Sequence, residues 1–184
     1  MKEKVSIKVL LIAIGIALAV CLLGVFLVNS VPNKLISYEE QITTAQSEIK
    51  IQEKRRADLI PNLVDCVKEY DKHEYETLMA VIEARGTNSD EVASEVQTMI
   101  NAVAEQYPQL KSNENYKELM NELTTTENKI AQTRTNYNEW VSKYNTYYKK
   151  FPNKQILSFI GYEVTKYEKL DFNVSSDAPT NLFD

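Results

Sequence analysis

The chain is poor in the residues that most catalytic and metal sites require. A single histidine, His73, leaves no pair of imidazoles to hold zinc and no second base for a nucleophile relay. The run His73-Glu74-Tyr75-Glu76-Thr77 starts like a zinc-binding helix, but Thr77 stands where the second imidazole would be needed one turn on. His73 is read instead as a helix-junction residue. The only cysteines, Cys21 and Cys66, fall one in an apolar run and one on a helical stripe, which excludes a disulfide framework and a metal pattern. With 4 glycines and 5 prolines the sequence lacks the punctuation that hairpins and sandwiches need every eight to twelve residues. It also lacks any glycine-rich phosphate loop. Cations are in deficit: the net charge is −5, and leaving aside Lys2, Glu3, Lys4 and Lys8 the balance falls to −7. Such a surface repels phosphate backbones, so no nucleic-acid partner is expected. No cofactor is expected either, and carboxylate pairs such as Asp65 with Glu69 read as solvated helix faces.

What the chain does have is one long apolar run and two long helical stripes. Residues 9–28, from Val9 to Val28, hold only apolar residues, two glycines and Cys21, about the length that crosses the ~30 Å hydrocarbon layer of a bilayer. A cleaved signal peptide would need a shorter apolar region followed by small residues, and Leu27-Val28-Asn29-Ser30-Val31 supplies none. A transmembrane helix is therefore predicted, with the lipid bilayer as a partner. Lys2, Lys4 and Lys8 precede it, which predicts a cytoplasmic N-terminus over residues 1–8 and a bundle on the outer side of a bacterial cell membrane.

Beyond the span, Leu35, Tyr38, Ile42, Ala45, Ile49, Gln52, Arg56, Leu59, Leu63, Cys66 and Tyr70 recur at spacings of three and four. Pro32 is expected to break this helix from the span. Pro61, which cannot bond back to Ala57, is expected to kink it, with Asp58 capping a restart. The pattern continues through Leu78, Val81, Ile82 and Arg85 until Gly86-Thr87-Asn88 ends it. Asn88 with Glu91 has the spacing of a capping box before a helix carrying Val92, Val96, Met99, Ile100, Val103 and Tyr107, which Pro108 stops. The second stripe organises the chain: from Ser112 or Asn113 as cap, Tyr116, Leu119, Leu123, Thr126, Ile130, Thr133, Tyr137, Trp140, Tyr144, Tyr147 and Phe151 share one face of a helix roughly 55 Å long. A short helix around Ile156 to Ile160 comes next, ended by Gly161. The expectation is an all-α fold: an N-terminal transmembrane helix, then an antiparallel bundle of long helices over residues 33–162, four-helix-like with coiled-coil seams. Residues 163–184 read as an extended or disordered tail.

Two groups interrupt the apolar stripes. Gln52 and Arg56 break the first, and Thr126 and Thr133 the second, so a polar layer inside the bundle is predicted. In it Arg55 or Arg56 pairs with Glu127 or Asp58, and Arg134 joins them; the opposing reading is that the arginines reach the surface. Tyr137, Trp140, Tyr144, Tyr147, Tyr148 and Phe151 form an aromatic load that reads as core or helix interface rather than a ligand box.

The run Arg55-Arg56-Ala57-Asp58-Leu59-Ile60-Pro61-Asn62-Leu63-Val64 resembles the LemA family of bacterial membrane proteins. The likeness continues at Lys68, Tyr70, His73-Glu74, Ala84-Arg85, Tyr107-Pro108-Gln109-Leu110-Lys111, Thr126 to Ala131, Arg134, Tyr137-Asn138, Val141, Tyr144-Asn145 and Phe151-Pro152. Ala178-Pro179-Thr180-Asn181-Leu182-Phe183 matches the family's ending only loosely. The resemblance implies one N-terminal span and an antiparallel helical bundle, and implies no enzymatic activity. The function expected is a non-enzymatic interaction or assembly module, with a homo-oligomer or a membrane-protein partner. The alternative is a ligand-binding or sensory domain using the arginine, threonine and tyrosine layer, and an envelope hydrolase is disfavoured.

Overall fold

A computed structural model describes residues 2–87 and 89–171, with side chains described from residue 10 onward. Among the described residues there are helices and connections and no strand. In chain order these are α1 (Lys2–Val67), α2 (Lys72–Arg85), α3 (Asp90–Gln106), α4 (Pro108–Ser112), α5 (Glu114–Lys149) and α6 (Asn153–Phe159). The all-α architecture read from the sequence is the one observed. The described residues form two compact units, 44–136 and 2–43 with 137–171, and α1 and α5 contribute to both.

In the unit of residues 44–136, the first stripe supplies Leu59, Ile60, Leu63, Val64 and Val67 to a core completed by Leu78, Val96, Ile100, Leu110 and Leu123, each at most 6% exposed. Burial of one such aliphatic side chain is worth about 1.5–3 kcal/mol. Ala93 and Ala104 occupy the core face of α3, where small side chains let neighbours approach. Helix ends follow local chemistry. Asp71 caps α2 by accepting from the Glu74 backbone N–H at 3.0 Å, and its other carboxylate oxygen accepts from the Tyr107 hydroxyl at 3.0 Å. These bonds, the capping one foremost, hold the Asp71 carboxyl below its ordinary pKa. Gly86 closes α2 with φ +71°, a conformation that favours glycine, and its N–H reaches the Ile82 carbonyl at 2.7 Å. Asn113 caps α5, accepting from the Tyr116 N–H at 3.2 Å.

Three local expectations need correction. Pro32 does not separate the span from the rest of α1: the helix runs through it without interruption, because one missing N–H removes one bond from a ladder of many. Nor does the helix restart at Asp58. Helix geometry persists through Pro61, and the Ala57 carbonyl that Pro61 cannot serve accepts instead from the Thr87 hydroxyl at 3.4 Å. Tertiary structure thus supplies the bond that the sequence withholds. Finally, Ser89 rather than Asn88 caps α3: its hydroxyl accepts from the Val92 N–H at 3.2 Å. Asn88 itself lies outside the described residues.

In the other unit, the apolar run of α1 from Leu10 to Phe26 is exposed along its whole length, Phe26 at 66%. It is the one helix among the described residues long and apolar enough to cross a membrane. Burial starts at Val31, 3% exposed, and continues through Leu35 and Ile42 on α1, Val141 and Tyr144 on α5, and Leu157 on α6. After Gly161, with φ +68°, residues 162–171 run without regular secondary structure.

Candidate functional site

The polar layer lies in the unit of residues 44–136 and is centred on Arg56, whose side chain is 1% exposed. Position 56 falls on the buried stripe of α1, one turn before Leu59 and Ile60, so the helix carries the guanidinium inward. A buried cation without partners would cost several kcal/mol. Here Arg56 donates to Asp90 Oδ1 at 2.7 Å and to Glu127 Oε1 at 3.4 Å. Arg134, 18% exposed, grips the same aspartate with two nitrogens, to Oδ2 at 2.6 Å and Oδ1 at 3.1 Å, and donates to Glu53 Oε1 at 2.8 Å. Two cations therefore face three carboxylates. The hydrogen bond from Arg134, ahead of that from Arg56, holds the Asp90 carboxyl below the usual carboxylate range against the opposing effect of burial. The same bond from Asp90 raises the Arg134 guanidinium.

Of the residues expected in this layer, the structure brings together Arg56, Glu127 and Arg134. Arg55 lies outside it, 48% exposed and paired with Glu122. Asp58 is exposed on α1, where its backbone carbonyl accepts from the Asn62 side chain. Thr126 and Thr133 are buried, but each hydroxyl closes on its own helix, at the Glu122 and Lys129 carbonyls 2.8 Å away. Sequence reading missed Asp90 and Glu53. Asp90 looks like an ordinary first-turn acid of α3, and its only sequence signal is its place beside a helix cap.

The aromatic group belongs to the other unit, and its members differ in placement. Tyr144 is fully buried and donates to Glu39 Oε1 at 2.9 Å; burial first, then this bond, pushes its phenol well above the ordinary tyrosine range. Tyr137 is buried and donates to the Glu168 carbonyl at 3.1 Å. Trp140 and Tyr147 are half-buried, flanking Tyr38 with ring centroids 6.1 and 5.5 Å away. Phe151, at the far end of the stripe, is 82% exposed. Tyr38, Ser142, Lys143, Thr146, Tyr147 and Lys150 line a shallow groove of about 260 Å³. Asn138 holds Leu170 at both polar atoms, donating to its carbonyl at 2.9 Å and accepting from its N–H at 2.8 Å, and Asn145 donates to the Tyr167 carbonyl at 3.1 Å. The spacing is commensurate. Seven helical residues rise about 10.5 Å, and three extended residues about 10 Å.

Among the described residues no three His, Cys, Asp or Glu side chains are grouped to hold a metal ion. His73 is exposed in the first turn of α2. The Cys66 thiol donates to the Asn62 carbonyl at 3.4 Å, and burial chiefly raises its pKa, which disfavours the thiolate.

With that geometry in place, comparison with known proteins is informative. The model of the LemA family matches residues 45–181 of this chain. A curated relative, Protein LemA of Metamycoplasma hominis, is 29% identical across 126 residues, an alignment covering 62% of this chain and 58% of the relative. The chain thus spans a little over half the length of that relative.

Proposed function

We propose, from the premise that this chain belongs to the LemA family, that it is a membrane-anchored, non-enzymatic interaction or assembly module of the bacterial cell envelope. The observation that carries the reading is the exposure of α1 from Leu10 to Phe26, an apolar surface of near-bilayer length that none of the other described residues covers. Lipid is the cover that fits it. The lysines at positions 2, 4 and 8 favour a cytoplasmic N-terminus, which puts the helical units on the outer side.

The chemistry of the interior supports a structural rather than catalytic role. Arg56 and Arg134 are engaged by Asp90, Glu53 and Glu127, the chain's one imidazole is exposed and remote from them in sequence, and the Cys66 thiol is held protonated. The alternative, a ligand-binding or sensory domain using the arginine, threonine and tyrosine layer, gains no specific observation: three carboxylates already face the two cations, and the Thr126 and Thr133 hydroxyls bond within their own helix. The two stripes close largely within the chain, with Ile42, Ile49, Leu123 and Ile130 all buried. Assembly therefore works through outer faces and the anchor rather than through an unfilled seam.

The test is extraction of the full chain into native membrane discs, followed by mass photometry. A defined particle larger than one copy, or one copy with a stoichiometric membrane partner, is the expected result. A lone monomer in every disc would sink the assembly reading, and release of the chain from membranes by alkaline carbonate would sink the anchor.

A further inference from the structure

The corner where α5 ends and α6 begins carries large apolar side chains in the open. Phe151 is 82% exposed, Phe159 87% and Ile160 37%, whereas Leu157 beside them is 2% exposed. The Phe151–Pro152 peptide between the helices is cis. This corner belongs to the same compact unit as the apolar run of α1.

Its height along α1 follows from pairs within that unit. Tyr144 meets Glu39 and Tyr147 meets Tyr38, so the helices run antiparallel and Phe151 comes level with about residue 33. That is about 8 Å beyond Val28 at 1.5 Å per residue. The headgroup layer on each side of a bilayer is about 5–8 Å deep. Val31, three residues past the run, is already 3% exposed, so α1 is covered from that level on. The corner therefore stands at the outer side of the headgroup layer once the apolar run is in a bilayer.

Charge points the same way. In a chain of net charge −5, residues 140–162 contain Lys143, Lys149, Lys150 and Lys154 and no acid, and residues 29–38 contain Lys34 and no acid. Lys34, Lys149, Lys150 and Lys154 are exposed. Of the acids flanking these stretches, Glu39 accepts from the Tyr144 and Tyr162 hydroxyls, Glu139 pairs with Lys143 at 3.7 Å, and Glu40 and Glu163 are exposed. Aromatic rings flanked by lysines are what a membrane–water boundary accommodates, rings at the acyl edge and ammonium groups among phosphates.

We infer that the α5–α6 corner, through Phe151, Phe159 and the lysines at 149, 150 and 154, docks onto the anionic lipid interface beside the anchor, so that the chain meets the membrane at two places rather than one. The inference rests on the anchored reading, and its test separates the two. Trp140 is the only tryptophan, so Trp140→Phe provides a silent background for Phe151→Trp or Phe159→Trp in the full chain. The variants are placed in discs of phosphatidylcholine alone and in discs in which about a third of the lipid is phosphatidylglycerol.

The expected result is blue-shifted emission from both reporters, quenched by lipids brominated near the headgroup, more strongly in the phosphatidylglycerol discs. Lys149→Gln, Lys150→Gln and Lys154→Gln together should remove that lipid difference. Water-like emission quenched by iodide in both discs would overturn the inference while leaving the anchor standing. Blue-shifted emission that brominated lipids do not touch, in discs holding two copies, would overturn it in favour of a second chain as the cover. Failure of the chain to stay with discs would overturn the anchor and this inference with it. Should Trp140→Phe lower helical content, hydrogen exchange over residues 150–160 of the unaltered chain replaces it: slower exchange in phosphatidylglycerol discs supports docking, and equal exchange rejects it.

Discussion

Arg56 and Arg134 share one oxygen. Asp90 Oδ1 accepts from both guanidinium groups, at 2.7 and 3.1 Å, so the first residue of α3 ties the middle of α1 to the middle of α5. The three helices belong to one unit over these residues, and the tie joins a buried guanidinium to an aspartate that is 56% exposed.

The two ends of that tie should respond differently to removal. Asp90→Ala strips the shared acceptor and leaves Arg56 buried with Glu127 alone, which should cost about 2–4 kcal/mol. Arg56→Met replaces the buried cation by an apolar chain of similar length and leaves Asp90 with Arg134, so its cost should be under about 1 kcal/mol, or of the opposite sign. Urea unfolding followed by helical circular dichroism measures both; equal costs would mean that the network is not what holds α3.

Acid should act through the same aspartate. Its carboxyl pKa is lowered in the folded state, so its contribution is complete above the unfolded value of about 4 and is lost as pH falls through the folded one. Asp71, also lowered, acts over the same window. Unfolding midpoints should therefore drop steeply below about pH 4, and Asp90→Asn should flatten the drop while starting from a lower plateau. The alkaline side is governed by Tyr144, whose raised phenol stabilises the fold below the unfolded value of about 10 and ceases to do so as pH rises through the folded value. Tyr144→Phe should cost about 1 kcal/mol at neutral pH and remove the last-titrating part of the tyrosinate absorbance.

Thr87 and Pro61 form a testable couple. Thr87→Val removes the donor to the Ala57 carbonyl and should cost about 0.5–1 kcal/mol, in keeping with a 3.4 Å bond. Pro61→Ala restores a backbone N–H to that carbonyl and should stabilise α1 by about 1 kcal/mol or more. In the Pro61→Ala background, Thr87→Val should become nearly silent. Additive effects in the double-mutant cycle would show that the hydroxyl does not serve the carbonyl that proline leaves open.

The asparagine contacts along α5 can be cut singly. Asn138→Ala removes both bonds to Leu170 and should raise the exchange rate of the Leu170 amide and the cleavage of residues 166–171 by protease, with helical content unchanged. Asn145→Ala should have a smaller effect, since it removes one bond, to Tyr167.

Periodicity carried most of the architecture. Stripes at spacings of three and four located α1, α3 and α5, and the first of them put Arg56 on the inward face, because a helix fixes direction once its apolar face is known; Arg134, off the second stripe but next to Thr133, entered only as a companion of that layer. Asp90 and Glu53 escaped because a carboxylate at a helix start and one on a helix flank look the same whether or not a cation from another helix arrives. The prolines misled for the opposite reason. A local rule about a missing N–H takes no account of a helix held by packing, or of Thr87 being delivered to the open carbonyl. The turn between α1 and α2 did have a local signal, Asp71 three residues before Glu74, hidden because the apolar pattern continues on both sides of it. The end of the second stripe was also over-read. Phe151 keeps the period yet lies beyond Lys149, where α5 and the protection of its stripe have both ended.

The asparagine rail on α5 has a consequence for how this chain can change over time. Asn138 and Asn145 hold residues 167–170 by main-chain atoms, groups that every residue type presents. The rail reads the course of the segment and is indifferent to its spelling. Substitutions along the segment should therefore leave the contact in place so long as it stays extended, whereas replacing either amide should weaken it.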